Sequence, residues 1–153
     1  MPKAQSEEVR GGGSDPLDEV LRQLEHFLDE RSWVRPAGSQ WLQTPLMEVY
    51  VRRNRRVLPE GGFFMLDIAN VSVTVRGQGT YSRFLERVEA MLPLEGIFLE
   101  NVYDDRLVRY YLRRGYRTSP AGPWPFDFPR LRSWSGYRLW NPAGTCGTAA
   151  DPS

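Results

Sequence analysis

Between Phe64 and Val75 the apolar residues change phase, and that slip constrains the chain more than any other feature. Phe64, Leu66 and Ile68 stand on even positions, whereas Val71, Val73 and Val75 stand on odd ones, with Asn70, Ser72 and Thr74 between them. Successive residues of a strand point to opposite faces, so an unbroken strand would turn the second apolar set away from the first. One extra residue near Ala69 and Asn70, a β-bulge, restores a common face and splays neighbouring strands apart. The alternative is a strand buried on both faces, where alternation carries little information. Arg76-Gly77-Gln78-Gly79 then leads directly into a helix whose apolar face is Tyr81, Phe84, Leu85, Val88 and Met91. Strand, glycine turn and helix in this order set the unpaired amides and positive dipole end of a helix beside a strand end, where glycines let an anion approach the backbone. The turn is therefore a candidate pyrophosphate cradle, although glycines between a strand and a helix are often only a turn. It is neither a Walker loop nor a full dinucleotide fingerprint, since no Gly-Lys-Ser/Thr follows and the third glycine is missing.

The rest of the chain reads as one α/β domain over residues 14–140, with a flexible arm at 1–13 and a flexible tail at 141–153. Ser14 or Asp15 caps a first helix with Pro16 in its first turn, Asp18 and Glu19 at the favourable dipole end, and a buried stripe of Leu17, Val20, Leu21, Leu24, Phe27 and Leu28. Trp41 to Gln43 and Met47 to Arg53 are predicted strands, and Pro59-Glu60-Gly61-Gly62 a turn. Beyond the central helix, which Pro93 and Gly96 close, Ile97 to Glu100 forms a short strand. Asp104 or Asp105 caps a further helix ending at Arg114-Gly115, and Trp134 to Trp140 forms a last strand. Thr118 to Pro129 is rich in Pro and Gly, carries Trp124, Phe126 and Phe128, and is long enough for a loop to favour a binding role.

Composition narrows the function classes. A formal net charge of +1 provides no global field toward nucleic acid or membrane, so an electrostatic partner must be recognised by a local patch. No apolar run approaches the roughly 18 residues of a membrane span, and the polar start lacks an apolar signal-peptide centre. The single cysteine, Cys146, allows neither an intramolecular disulfide nor a cysteine metal cluster, and a cytoplasmic setting is expected. With His26 as the one histidine, packed or exposed on the first helix, neither a zinc site nor a Cys/His nucleophile is expected.

The segment after the phase slip resembles the acyl-CoA motif of the GNAT acetyltransferase superfamily, Arg/Gln-x-x-Gly-x-Gly/Ala. Arg76 takes its first position, Gly79 its glycine, and Tyr81 stands where that family has Gly or Ala. A second motif of the family, roughly Asn-x-x-Ala-x-x-Leu-Tyr-x-x-x-Gly-Phe, is echoed from Asp104 to Tyr116: Tyr111, Gly115 and Tyr116 match, while Asp104 replaces Asn and Leu107 replaces Ala. The resemblance spans roughly Met47 to Tyr116. It implies a mixed, mostly antiparallel sheet with a bulged, splayed strand and flanking helices, and acetyl-CoA as acyl donor without a metal. Val71 and Val73 lie where the family's bulged fourth strand offers backbone groups to the pantetheine arm. Arg76, Gly77, Gln78, Gly79, Thr80 and Tyr81 would form the cradle, with Asp104 beside the pantetheine.

The chemistry so implied is direct acyl transfer: a neutral amine attacks the thioester, and the site must take a proton, stabilise an oxyanion and protonate the leaving thiolate. Tyr111 matches the family's general acid, a phenol protonated at neutral pH, although it also lies on an apolar helical face with Leu107, Val108 and Leu112. Asp67 and Glu100 are the candidate bases, and either could equally be solvated or paired with arginine. For the acceptor, Arg52, Arg53, Arg55 and Arg56 form one basic cluster and Arg113, Arg114 and Arg117 another, either solvated or gripping an anionic substrate. Trp124, Phe126, Phe128 and Trp134, interleaved with Arg130 and Arg132, could stack a base while holding its backbone. Arg52, Arg53, Trp124 and Trp134 are thus the candidate substrate contacts. Leu66 to Val71 and Leu99 to Val102 resemble small phage-encoded members of the superfamily, which points to an amine on a modified nucleobase of phage DNA. A non-catalytic protein of the same fold, binding nucleic acid or a protein partner, is the alternative, and a structural protein using its aromatic loop is a third.

Overall fold

The structure, a computed structural model, describes residues 15–120 and 133–140. The first helix, α1 (Pro16–Leu28), begins where Asp15 Oδ1 accepts from the Leu17 amide at 3.1 Å, and Pro16 occupies the first turn, where its missing N–H costs nothing. All six residues of its apolar stripe are buried. A short 3-10 turn (Glu30–Ser32) leads to β1 (Gly38–Gln43), followed by β2 (Met47–Leu58), β3 (Gly61–Val73), α2 (Thr80–Met91), β4 (Gly96–Val102), α3 (Asp105–Arg113), β5 (Arg117–Thr118) and β6 (Trp134–Leu139). The six strands form one sheet in the order β1-β2-β3-β4-β6-β5, in which β3 and β4 run parallel and every other pair antiparallel. The fold is therefore mixed α/β with a mostly antiparallel sheet, as the sequence predicts.

Several boundaries differ from the sequence reading: β4 runs from Gly96 past Glu100 to Val102, β3 already starts at Gly61, and three further differences concern the first strands. β1 starts at Gly38 rather than Trp41, β2 runs on from Arg53 to Leu58, and β3 stops at Val73, leaving Val75 exposed beyond it. The first two extensions follow from pairing, because β2 has β1 on one side up to Arg53 and β3 on the other along its whole length. The third follows from the next turn: Thr74 gives its amide to the Leu46 carbonyl at 3.0 Å and its hydroxyl to the Pro45 carbonyl, which ends the strand and fixes the start of the glycine segment. β5, only two residues long, has no apolar pattern to announce it.

The phase slip is a bulge. Tyr50 pairs with Asn70 and Val51 with Ile68, so Ala69 is opposite no residue of β2. That extra residue keeps Val71 and Val73 on the face of Leu66 and Ile68, packed against the main core with the stripes of all three helices. The opposite face holds a smaller apolar cluster of Leu58, Met65, Phe98 and Tyr137. A second irregularity lies in β4, where Leu99 pairs with Gly136 and Val102 with Trp134, leaving one residue too many on β4. Asn101 absorbs it at φ 53, a left-handed conformation that Asn tolerates better than other side chains. Each of β3 and β4 thus carries one surplus residue relative to its outer neighbour. Between themselves they pair only at Leu66–Ile97, Asp67–Phe98 and Ile68–Leu99, and then part.

Candidate functional site

The parted strands open a cavity of about 530 Å³ lined by Ile68, Val71, Leu99, Glu100, Asn101, Tyr103 and Tyr111. It continues into a second, of about 610 Å³, running past Val73 and Val75 to Gly77, Gly79, Thr80 and Tyr81; Val71, Arg76, Asp104 and Leu107 line both. Along this groove the β4-facing edge of β3 beyond Ile68 has no strand partner among the described residues, so the backbone of Val71 and Val73 is available to a ligand.

At the far end, Gly79 takes φ 69 as the N-cap of α2 and supplies no capping side chain. The first-turn amides of α2 are left to whatever occupies the groove. Gly77, at φ 83, has the same left-handed backbone, and a Cβ on either glycine would meet nothing of the described residues within 4 Å. The glycines are required by the turn rather than by close packing, and they leave an open concavity. Arg76 is exposed at its rim and forms no ion pair among the described residues. Thr80 is buried, Gln78 is exposed and lines neither cavity, and Asp104 caps α3 by accepting from the Arg106 amide at 2.9 Å. A group the sequence did not single out lies here too. Tyr110 lines the cradle end, and its hydroxyl is buried with no hydrogen-bond partner among the described residues. Such an orphan is costly unless a ligand or water satisfies it. Open glycines, free helix amides, an unpaired arginine and an unsatisfied hydroxyl fit an extended anionic ligand such as the pyrophosphate and arm of CoA.

Tyr111 is 2% exposed and its hydroxyl donates to the hydroxyl of Tyr81. Its ring stacks on Trp134, with centroids 5.8 Å apart and planes 11° from parallel, and meets Tyr81 edge-on. Burial pushes both phenols far above their ordinary range, so both are protonated throughout the physiological window. Trp134, expected as a substrate contact, packs on Tyr111 and donates its indole N–H to Thr118 Oγ1 at 3.0 Å.

Asp67 and Glu100 sit in a network of another kind. Asp67 is 0% exposed and alternates with Leu66 and Ile68, so it faces away from the helices. Arg56 binds it through both oxygens, Nε to Oδ1 at 3.1 Å and Nη2 to Oδ2 at 2.8 Å, and Asn54 adds a contact to Oδ2 at 3.3 Å. Arg52 lies 3.5 Å from the same oxygen. Glu100 pairs with Arg56 through one oxygen and with Arg52 through the other. Burial raises the Asp67 carboxyl above its usual range, against the pull of Arg56. Every carboxylate oxygen of this quartet faces a guanidinium, an arrangement poorly suited to taking a proton from an amine.

The basic cluster of β2 is largely internal as well. Arg53 is 8% exposed, stacks over Phe27 and Trp33 at 4.4 Å, and donates to the carbonyls of Phe27, Pro36 and Arg35. It clamps the α1–β1 connection to the sheet. Of the four arginines only Arg55 is fully exposed. In the second cluster Arg114 pairs with Glu89 and Arg117 with Glu60. Trp124, with Phe126, Phe128, Arg130, Arg132, Cys146, the arm and the tail, lies outside the described residues. Among the described residues no helix is long and apolar enough to cross a membrane, and no group of three or more His, Cys, Asp or Glu is placed to hold a metal ion.

Compared with known proteins, the chain matches no family model and no curated protein. Among solved structures it is similar to a Klebsiella pneumoniae protein named provisionally as an acyl-CoA N-acyltransferase, at 19% identity and a TM-score of 0.38, covering 80% of this chain and 86% of that one. A superposition this loose carries no weight for function.

Proposed function

We propose that this chain is an acyl-CoA-dependent N-acyltransferase of the GNAT type that moves an acetyl group from acetyl-CoA to a primary amine. The observation that carries the reading is the groove itself: two strands parted by a surplus residue in each, running into an open glycine turn at a helix start with Arg76 at its rim. The α2 amides and Arg76 hold the pyrophosphate, and the free backbone edge at Val71 and Val73 lines up the pantetheine arm. The thioester then lies in the gap near Tyr111, whose buried phenol protonates the sulfur as the amine displaces it.

A non-catalytic binder of the same fold is the second reading, and the guanidinium-bound state of Asp67 and Glu100 favours it, since neither is an unencumbered base. In a catalytic site the amine would instead lose its proton to water. A nucleobase amine as acceptor rests on the sequence resemblance; with Arg53 buried and the half-buried Arg52 and Arg56 ion-paired to Asp67 and Glu100, β2 has little charge free to grip phosphate.

Calorimetry and thermal melting with acetyl-CoA test the cofactor. At about a hundredfold excess over Kd the ligand should stabilise the fold by about 2.7 kcal/mol. An unmoved melting curve with no heat of binding removes the reading. Thiol release across a panel of amines, including DNA carrying aminomethylated pyrimidines, then separates enzyme from binder: tight binding without turnover on any acceptor favours the binder.

A further inference from the structure

We infer that Tyr81 is a positioning residue for acyl transfer: its hydroxyl stands behind that of Tyr111 and stabilises the Tyr111 phenolate once the proton has gone to sulfur. The inference rests on the acyltransferase reading and adds a residue to its chemistry.

The case begins with the cost of ionising Tyr111. Its ring is enclosed by Tyr81, Tyr110, Tyr116 and Trp134, and burial holds its phenol far above the range of a free one. A proton donor works best when its acidity is near that of the group it serves, so a phenol buried this deeply is a weak acid unless its anion meets a donor. The neighbouring donors are mostly engaged. The Tyr116 hydroxyl goes to Glu89 Oε2 at 3.2 Å and the Trp134 indole N–H to Thr118. Tyr81 differs. Its oxygen accepts from Tyr111, and its own proton has no acceptor among the described residues. When Tyr111 gives up its proton, the bond between the two hydroxyls can reverse with no movement of either ring, and Tyr81 donates to the new phenolate.

The step balances. The amine nitrogen bonds to the carbonyl carbon, the carbon–sulfur bond breaks with its electron pair on sulfur, and the Tyr111 proton converts that thiolate to a thiol. The nitrogen sheds its proton to water, and a solvent proton restores Tyr111. Tyr81 exchanges no proton with the substrate; it reorients and returns. The side chain also comes from the first turn of α2, the same turn that offers its amides to the pyrophosphate, so docking of the donor at the cradle and support of the acid depend on one short segment.

Tyr81→Phe keeps the ring and its contacts with Phe84 and Tyr111 while removing the hydroxyl. The Tyr81 amide that the cradle uses is kept, so acetyl-CoA affinity should move far less than turnover, and thiol release should slow about tenfold to a hundredfold, within the range that proton transfer supplies. Tyr81→Phe/Tyr111→Phe should be no slower than Tyr111→Phe alone. With an S-aryl thioacetate, whose thiol leaves without protonation, wild type and Tyr81→Phe should converge. A purely structural role would slow both donors equally and overturn the inference, as would a Tyr81→Phe rate equal to wild type with acetyl-CoA. Wild-type protein that neither binds acetyl-CoA nor releases thiol from it would overturn the acyltransferase reading itself, and this inference with it.

Discussion

The groove and the arginine–carboxylate quartet meet at Glu100, yet in the quartet most groups already have a partner and in the groove many do not. Asp67, Glu100, Arg52 and Arg56 neutralise one another on the sheet face away from the helices. Arg76, the α2 amides and the Tyr110 hydroxyl have no protein partner among the described residues. Residue type singled out Asp67 and Glu100 in the sequence; in the structure arginines hold both carboxylates, while the buried Arg52 Nε makes no hydrogen bond among the described residues and Glu100 also lines the gap. A charge that is buried and paired stabilises the fold only so long as its partner stays, whereas an unsatisfied group at a cavity wall gains most when a ligand arrives.

Removing groups from each region should therefore produce opposite signatures. Asp67→Ala should have the largest effect, leaving Arg56 with only part of its counter-charge. A loss of about 3 to 5 kcal/mol is expected, toward the lower end because Glu100 remains, with acetyl-CoA affinity unchanged in the folded fraction. Denaturant unfolding and calorimetry measure the two terms, and a stable Asp67→Ala protein that had lost acetyl-CoA binding would reverse the contrast. Arg76→Ala is the converse. Stability should move by less than about 0.5 kcal/mol, while acetyl-CoA affinity should fall roughly tenfold or more, the scale of a lost hydrogen bond to a charged group. Unchanged affinity would leave the cradle without its arginine. The smallest effect belongs to Arg55→Ala, the exposed member of the β2 cluster, for which both quantities should stay within about 0.5 kcal/mol of wild type. A larger loss of DNA binding at low salt in that variant would restore a phosphate-facing role to β2.

Much of the groove was legible in the sequence because it depends on local pattern. The valine phase slip at Ala69 and the Arg76 to Gly79 turn are each readable within a dozen residues, and each lies where the pattern put it. The stripe of α1 was legible for the same reason. The quartet was hidden because it depends on register between strands. Counting outward from the Leu58–Gly61 pair of the β2–β3 hairpin puts Arg52 opposite Asp67, so the signal existed, but only once the turn was known to be that tight. Arg53 left a clue too: it shares the inward phase of Val49 and Val51, an odd place for a charge unless it is clamped. Its partners Phe27, Arg35 and Pro36 could not be named from β2 alone. The pairing of the Tyr81 and Tyr111 hydroxyls joins the starts and ends of different helices, which no spacing rule relates.

Ala69 touches on how such a groove can arise at all. Because the apolar phase of β3 changes across this residue, excising Ala69 would leave every other side chain of the strand on the face it now occupies. The shortened strand would be an ordinary alternating one, leaving only the surplus at Asn101 in β4 to part the two strands past Ile68 and Leu99. On the β3 side, open and closed versions of this sheet therefore differ by one codon's worth of chain, with no large hydrophobic residue gained, lost or turned around; the surplus at Asn101 in β4 is the other half of the opening. A lineage could cross from a shut sheet to a grooved one by one insertion in each of two neighbouring strands, neither of which turns the core around.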